Sequence, residues 1–233
     1  MHIFSRISKQ SKLIALIELI LVYGFVFNPW TVFPITFIII ICAIFLFSIW
    51  HNKTLSDTGL KTITSSFKSI GIAIALFFIL EPVLDFIIQP IVNNLTGDEV
   101  DYSAFQSLAH NFYKYSKYVV YILISASFGE ELLFRGFFFN QLKLILPEFK
   151  FKTLVISILS SICFSLPHIY QGTSGLIMTF IIGMFFALIY VRTNNLWASI
   201  TLHALVDIMF LTLAYFDKLD YYLFANEVFF GGV

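Results

Sequence analysis

Long apolar segments constrain this chain more than any other feature of its sequence. A helix needs about 20 largely apolar residues to cross the hydrocarbon core of a bilayer. Backbone polar groups in lipid are satisfied only within helices or closed barrels. The segments therefore predict an all-α, polytopic membrane protein with about seven (six to eight) transmembrane helices. The predicted spans are 13–27, 34–50, 69–91, 118–140, 153–168, 174–191 and 196–216.

The composition supports a membrane environment. Hydrophobic residues make up 59% of the chain and charged residues only 12%, whereas soluble domains carry about 25% charged residues. The net charge is zero, and no basic excess points to nucleic acid as a partner. No repeat or long linker divides the sequence, so we expect a single transmembrane domain over 1–233 with the lipid bilayer as its surroundings.

The basic residues predict the orientation of the spans. Cytoplasmic loops of membrane proteins carry an excess of Lys and Arg. A cytoplasmic N-terminus leaves only Lys114, Lys117 and Lys218 outside. We therefore predict this orientation, in a multi-pass protein of the cell membrane. The basic residues then on the cytoplasmic side are Arg6, Lys9, Lys12, Lys53, Lys61, Lys68, Lys143, Lys150, Lys152 and Arg192.

Several ionisable residues lie inside the predicted spans. Each costs about 2.5–3.5 kcal/mol on insertion scales, which makes such residues functional candidates by default. We expect Glu18 to extend toward the inner surface. Glu81 and Asp85 match no motif, and for them packing or hydration of a cavity is favoured over contact with a substrate. The full set is Glu18, Glu81, Asp85, Glu130, Glu131, Arg135, His168, His203 and Asp207.

Helical spacing arranges the candidates into groups. Glu131 and Arg135 are four residues apart and share a helix face, as do His203 and Asp207. Glu130 is rotated from Glu131 by about 100° in an α-helix. One carboxylate is therefore expected to pair with Arg135 while the other faces a different neighbour.

The candidates also lie at similar depths. Glu131 and Asp207 are each about 18 Å from the cytoplasmic end of their span, at 1.5 Å of rise per residue. By the same rise, His203 is at about 12 Å and His168 at about 22 Å. Separate helices thus place these polar groups in one slab near the middle of the bilayer.

The charges of this cluster do not balance. With Glu130, Glu131 and Asp207 ionised, Arg135 supplies the only fixed positive charge. A buried carboxylate without a partner either becomes protonated or binds a cation. Two alternatives follow: some carboxyls are protonated, or a divalent metal such as zinc is bound by His side chains and carboxylates.

Three motifs resemble those of a known family. FGEELLFRG (Phe128–Gly136), FSLPH (Phe164–His168) and HALVD (His203–Asp207) are similar to the EExxxR, FxxxH and HxxxN/D motifs of the CAAX-protease and bacteriocin-processing (CPBP, or Abi) family. They occur in the family's order on separate predicted spans. The resemblance covers roughly 118–216, which we take as the catalytic core.

The resemblance implies an intramembrane endopeptidase. It would activate water either with a metal, as a metalloprotease, or without one. Glu130 would be the general base that activates water, and His168 would help to hold that water. Arg135 would hold Glu131 and fix the helix. A general base and a donor for the developing oxyanion are what amide hydrolysis requires.

The third motif departs from the commonest family pattern. His203 and Asp207 would stabilise the oxyanion or bind a metal, in a ligand set of Glu130, His168, His203 and Asp207. Many relatives carry Asn where this chain has Asp207. An ionised Asp cannot donate a hydrogen bond, so Asp207 is expected to orient His203 or to bind the metal.

The substrate implied by the resemblance is a hydrophobic or membrane-bound peptide, in CAAX-type processing or in the maturation of a peptide, bacteriocin or pheromone. A non-catalytic bacteriocin-immunity or membrane scaffold protein of the same fold is the alternative. A proton- or cation-coupled transporter is a third hypothesis, disfavoured because the sequence lacks the internal repeat of many transporters.

Overall fold

A computed structural model describes residues 11–231, and these fold into packed helices without a β-strand. This confirms the predicted all-α membrane class. The two basic residues Arg6 and Lys9 lie outside the described part. The α-helices are α1 (Lys12–Gly24), α2 (Ile35–Trp50), α3 (Ile63–Val83), α4 (Gln89–Thr96), α5 (Phe112–Tyr121), α6 (Phe139–Ile145), α7 (Lys152–Ser165), α8 (Gly172–Thr193), α9 (Leu196–Tyr215) and α10 (Tyr221–Phe230).

Two of the long helices contain wider π-helical turns. Leu84–Ile88 joins α3 to α4, while Ile122–Glu130 and Leu132–Phe138 join α5 to α6. Residues 112–145 therefore form one continuous helical stretch. π turns are rare and are frequently found at functional sites. Regular α-helical spacing was predicted through 118–140, and this prediction was wrong for most of that segment.

The distribution of polarity is inverted relative to a soluble protein. Large apolar side chains such as Leu13, Trp30, Phe78 and Leu95 lie exposed on the outside, whereas several charged side chains, Arg135 among them, lie buried inside. An apolar exterior matches hydrocarbon as the surrounding solvent, and buried ionisable groups in such a protein face the interior of the bundle.

Three stretches of the described chain are helical, long and apolar enough to cross a membrane: Leu55–Thr96, Lys152–Thr193 and Leu196–Tyr215. The second contains both α7 and α8, which pack against each other. Helix α2 is apolar but shorter. The fourth predicted span is helical over 112–145, but Glu130, Glu131 and Arg135 interrupt its apolar run. The number of seven crossings and their orientation stay predictions.

The beginning of α9 is fixed by polar contacts to the start of α3 and to the chain just before it. The Asn195 side chain caps α9 by accepting from the backbone N–H of Trp197 at 3.1 Å, and its amide donates to the Ser66 hydroxyl at 2.9 Å. The N–H of Leu196 donates to the carbonyl oxygen of Gly59 at 2.8 Å. These contacts set the rotation and height of α9, which carries His203 and Asp207.

The expectation that Glu18 extends toward the surface was wrong. Glu18 is only 3% exposed. Its Oε1 lies 2.6 Å from His51 Nε2, and its Oε2 accepts from the Gln141 amide at 2.8 Å. The carboxylate therefore links α1 to the end of α2 and to α6, because a buried charge is stable only when paired and hydrogen-bonded.

Replacing Glu18 by Ala is expected to destabilise the helix bundle by about 1–3 kcal/mol, the cost of leaving buried polar partners unsatisfied. Thermal unfolding of the purified protein in detergent, followed by circular dichroism, measures the effect. The exposed acid Glu227 provides the control, since Glu227→Ala removes a carboxylate that carries no such role. Equal melting temperatures for the two variants would contradict a bridging role for Glu18.

Candidate active site

A cavity of about 550 Å³ lies between the helices that carry the three motifs. The ionisable motif residues that line it are Glu130, His168, His203 and Asp207. Much of the remaining wall is apolar and aromatic, including Phe164 and Phe186. The structure thus brings side chains from all three motifs to one space. Their predicted catalytic roles stay predictions.

The two glutamates of the first motif point to different surroundings. Glu130 is 8% exposed and lines the cavity, and within residues 11–231 it has no hydrogen bond or ion pair. Glu131 is fully buried and lies behind the cavity wall. Glu130 ends one π-helical segment and Glu131 separates it from the next. The carboxylate open to the cavity is therefore that of Glu130.

Arg135 holds the first motif against its neighbours. Its side chain is 0% exposed. Nη1 donates to Glu131 Oε1 at 2.7 Å, and Nη2 donates to the Gly183 carbonyl oxygen in α8 at 2.8 Å. The guanidinium also lies 4.4 Å from the centre of the Phe164 ring, at a distance typical of a cation–π contact. Arg135 therefore connects the first motif to both α7 and α8.

Gly183 lets Arg135 and the aromatic wall approach α8 closely. A Cβ built at this position would lie 2.9 Å from Phe164 Cδ1 and 3.3 Å from Arg135 Nη2. Neither neighbour moves freely, because Phe164 is buried in the core and Arg135 is held at both ends of its guanidinium.

We expect Gly183→Ala to destabilise the protein by about 1–3 kcal/mol, as overpacking of a filled core does. The matched control is Gly71→Ala in α3, where a Cβ would meet nothing within 4 Å and where Ala favours the helix. The stabilities of the two variants are compared by their melting temperatures in detergent. A Gly183→Ala protein as stable as the Gly71→Ala protein would show that α8 shifts at little cost.

His203 is held from both sides by carboxylates. Its Nδ1 lies 3.1 Å from Glu131 Oε1, and its Nε2 lies 3.4 Å from Asp207 Oδ2. The ring stacks on Phe186 with the ring centroids 4.7 Å apart. Ionised carboxylates only accept hydrogen bonds, so this arrangement favours the imidazolium form. The predicted contact from Asp207 to His203 is present, and the sequence analysis missed the second contact, from Glu131.

His168 has a defined orientation at the edge of the cavity. It lies in the short 3₁₀ segment Leu166–Gln171 that follows α7. Its Nδ1 is 3.1 Å from the Phe164 carbonyl oxygen, which can only accept, so Nδ1 carries the proton. In the neutral ring, Nε2 is then an acceptor, which suits a residue that holds water.

The side chains present do not fit a metal centre well. Among residues 11–231, no group of three His, Cys, Asp or Glu side chains comes together as ligands for one ion. Both ring nitrogens of His203 face carboxylates, which competes with ligation. The proposed metal ligands Glu130, His168, His203 and Asp207 therefore stay a prediction, and we derive no catalytic step from a metal.

The structure adds residues that the motifs did not include. Glu81, Asp85 and Gln89 line the same cavity, on the helix that runs from α3 into α4. Their spacing of four residues in an apolar segment was visible in the sequence and indicated a shared helix face. Packing or hydration was the predicted role of the two acids. Local periodicity carries no information on which helices their own helix faces.

Comparison with known proteins identifies a family that is similar to the segment carrying the motifs. A family model described as type II CAAX prenyl endopeptidase Rce1-like matches residues 114–209, a segment that contains all three motifs. Neither the curated proteins nor the solved structures gave a match. The family match confirms the resemblance predicted from the motifs. Over residues 114–209, the chain is therefore similar to the Rce1-like family of type II CAAX prenyl endopeptidases.

Proposed function

We propose that this protein is an intramembrane endopeptidase that hydrolyses a peptide bond within the cavity of its helix bundle. The observation that carries the proposal is the open Glu130 carboxylate in one cavity with His168 and His203. A carboxylate without a direct ion pair, in a largely apolar space, is suited to accept a proton from water and to return it later.

Water activation is assigned to Glu130 and His168. A water molecule between the two side chains would donate one hydrogen bond to Glu130 and another to His168 Nε2. As its oxygen attacks the scissile carbonyl carbon, one proton passes to Glu130. The same proton is then delivered to the leaving nitrogen when the C–N bond breaks, which yields a carboxylic acid and an amine.

Stabilisation of the oxyanion is assigned to His203. The 3.4 Å separation between Nε2 and Asp207 Oδ2 is longer than a well-formed N–H···O bond. The Nε2 proton is therefore weakly held and available to a substrate oxygen that becomes negative. Glu131 and Arg135 position His203 from behind the cavity, and a donor preorganised in this way is among the largest contributors to catalysis.

The proposed substrate is a hydrophobic or membrane-bound peptide, and the proposed location is the cell membrane with the N-terminus in the cytoplasm. The apolar part of the cavity wall favours an apolar segment of peptide. Processing of a CAAX-type end, or maturation of a small peptide, bacteriocin or pheromone, are substrate classes compatible with this wall. The family match supports this proposal at the level of the protease family.

The test is peptide cleavage by the purified protein in detergent. Capped hydrophobic peptides are incubated with the protein, and both fragments of each cleavage are identified by mass spectrometry. A Glu130→Gln preparation, purified identically, reports contaminating proteases. Cleavage by the wild type alone supports the proposal, and equal cleavage by both preparations refutes it.

A further inference from the structure

A second pair of acids lies in the wall of the same cavity. Glu81 and Asp85 are each 5% exposed, and both line the cavity that also contains Glu130. They are four residues apart along one helix, and Gln89 continues the same row. None of the three belongs to a motif of the family, and the hydrolysis outlined above does not use them.

Each of these acids has one oxygen without a partner among residues 11–231, although Asp85 also accepts a hydrogen bond from the Tyr221 hydroxyl. Glu81 Oε2 and Asp85 Oδ2 are buried atoms with no hydrogen-bond partner among the described residues. Native structures satisfy nearly all buried polar atoms, so an exception calls for an explanation. Because both side chains line the cavity, groups that enter the cavity are able to reach them.

The charge of the cavity wall indicates which kind of group is complementary. The described wall contains four carboxylic side chains, from Glu81, Asp85, Glu130 and Asp207, but no Lys or Arg. The His203 imidazolium in the wall is already held by Glu131 and Asp207. Arg135 lies behind the wall and donates its hydrogen bonds to Glu131 and to the Gly183 carbonyl oxygen. A positively charged donor satisfies two acidic side chains in a low-dielectric site better than a neutral one does.

We propose that Glu81 and Asp85 form a subsite for a cationic group of the peptide substrate, either a Lys or Arg side chain or a free amino terminus. The inference rests on the proposed peptidase function and adds a specificity to it. The substrate would then combine an apolar segment, for the aromatic wall, with one positive charge at a fixed distance from the scissile bond.

The experiment compares matched peptides on the full-length protein in detergent. Short Leu/Ala-rich peptides, acetylated and amidated, carry a single Lys at one position, and each has a counterpart with norleucine there. A third set has a free amino terminus and no Lys. The measured quantity is the ratio of kcat/KM for each charged peptide to that for its neutral counterpart.

In the wild type, we expect the charged peptide to be preferred at one Lys position or with the free terminus, and this outcome distinguishes the two sources of charge. In Glu81→Gln/Asp85→Asn, the ratio is expected to fall about 10- to 100-fold, the range for loss of hydrogen bonds to a charged group. The control Glu227→Gln, at an exposed acid of α10, should keep the wild-type ratio.

A ratio, unlike a rate, is insensitive to partial misfolding of a variant. A wild type without preference for charge, or a double variant with an unchanged ratio, would overturn the subsite. If the wild type cleaves no peptide, the peptidase proposal fails instead. The subsite is then judged by the affinities of the same peptide pairs for the purified protein, where a preference for charge that the double variant loses supports it and its absence overturns it.

Discussion

Glu130→Gln is expected to lower kcat/KM for peptide hydrolysis by about 10²–10⁴-fold, the contribution typical of a general base. The substitution keeps the size and shape of the side chain and removes only its ability to take a proton from water. Glu130 has no hydrogen bond or ion pair within the described part of the chain. The substitution should therefore change the free energy of unfolding little. The rate is measured on capped hydrophobic peptides in detergent.

The stability of the Glu130→Gln protein separates chemistry from folding. Its melting temperature is expected to match that of the wild type, because the substitution breaks no direct ion pair and replaces a buried carboxylate by a neutral amide. Glu227→Gln on α10 provides a matched acid-to-amide change at an exposed position. Wild-type rates in a well-folded Glu130→Gln protein would remove Glu130 from the mechanism and leave binding as the role of the cavity.

Arg135→Met should produce the largest loss of stability of any single substitution considered for this chain, about 3–5 kcal/mol, as expected when one partner of a buried ion pair is removed. The change leaves the fully buried Glu131 carboxylate without its 2.7 Å partner. It also removes the donor to Gly183 in α8. Unfolding by denaturant in mixed micelles measures the free energy.

A double variant tests whether the loss comes from the ion pair. Arg135→Met/Glu131→Gln removes both charges, so it should recover a substantial part of the stability lost by Arg135→Met. Arg192→Met, at an exposed position near the end of α8, is the control and should cost little. If the double variant were no more stable than Arg135→Met, the packing of Arg135 against Phe164 would be the main contribution.

The amino-acid sequence was sufficient to predict the class of protein and to identify the motif residues. Long apolar segments predict helices in lipid because no other local structure satisfies the backbone there. Charges inside such segments are costly enough to mark function. Glu130, His168, His203 and Asp207 were found in this way, and the cavity of the structure contains all four.

Other features depended on contacts between segments far apart in the chain. The sequence predicted regular α-helical spacing at Glu130 and Glu131, whereas the structure has π turns on both sides of Glu131. Glu18 was expected to extend to the surface, but Gln141 and His51 hold it inside. Neither partner is near Glu18 in sequence, so local periodicity carried no information about them.

The sequence by itself therefore determined a helical membrane protein, its resemblance to CAAX proteases and the identity of its candidate catalytic residues, because hydrophobic length and short motifs are local properties. Only the tertiary structure decided which carboxylate faces the cavity, which partners hold His203, and that Glu81 and Asp85 share the wall with Glu130. The physical reason is that these properties arise from the rotation and packing of whole helices against one another.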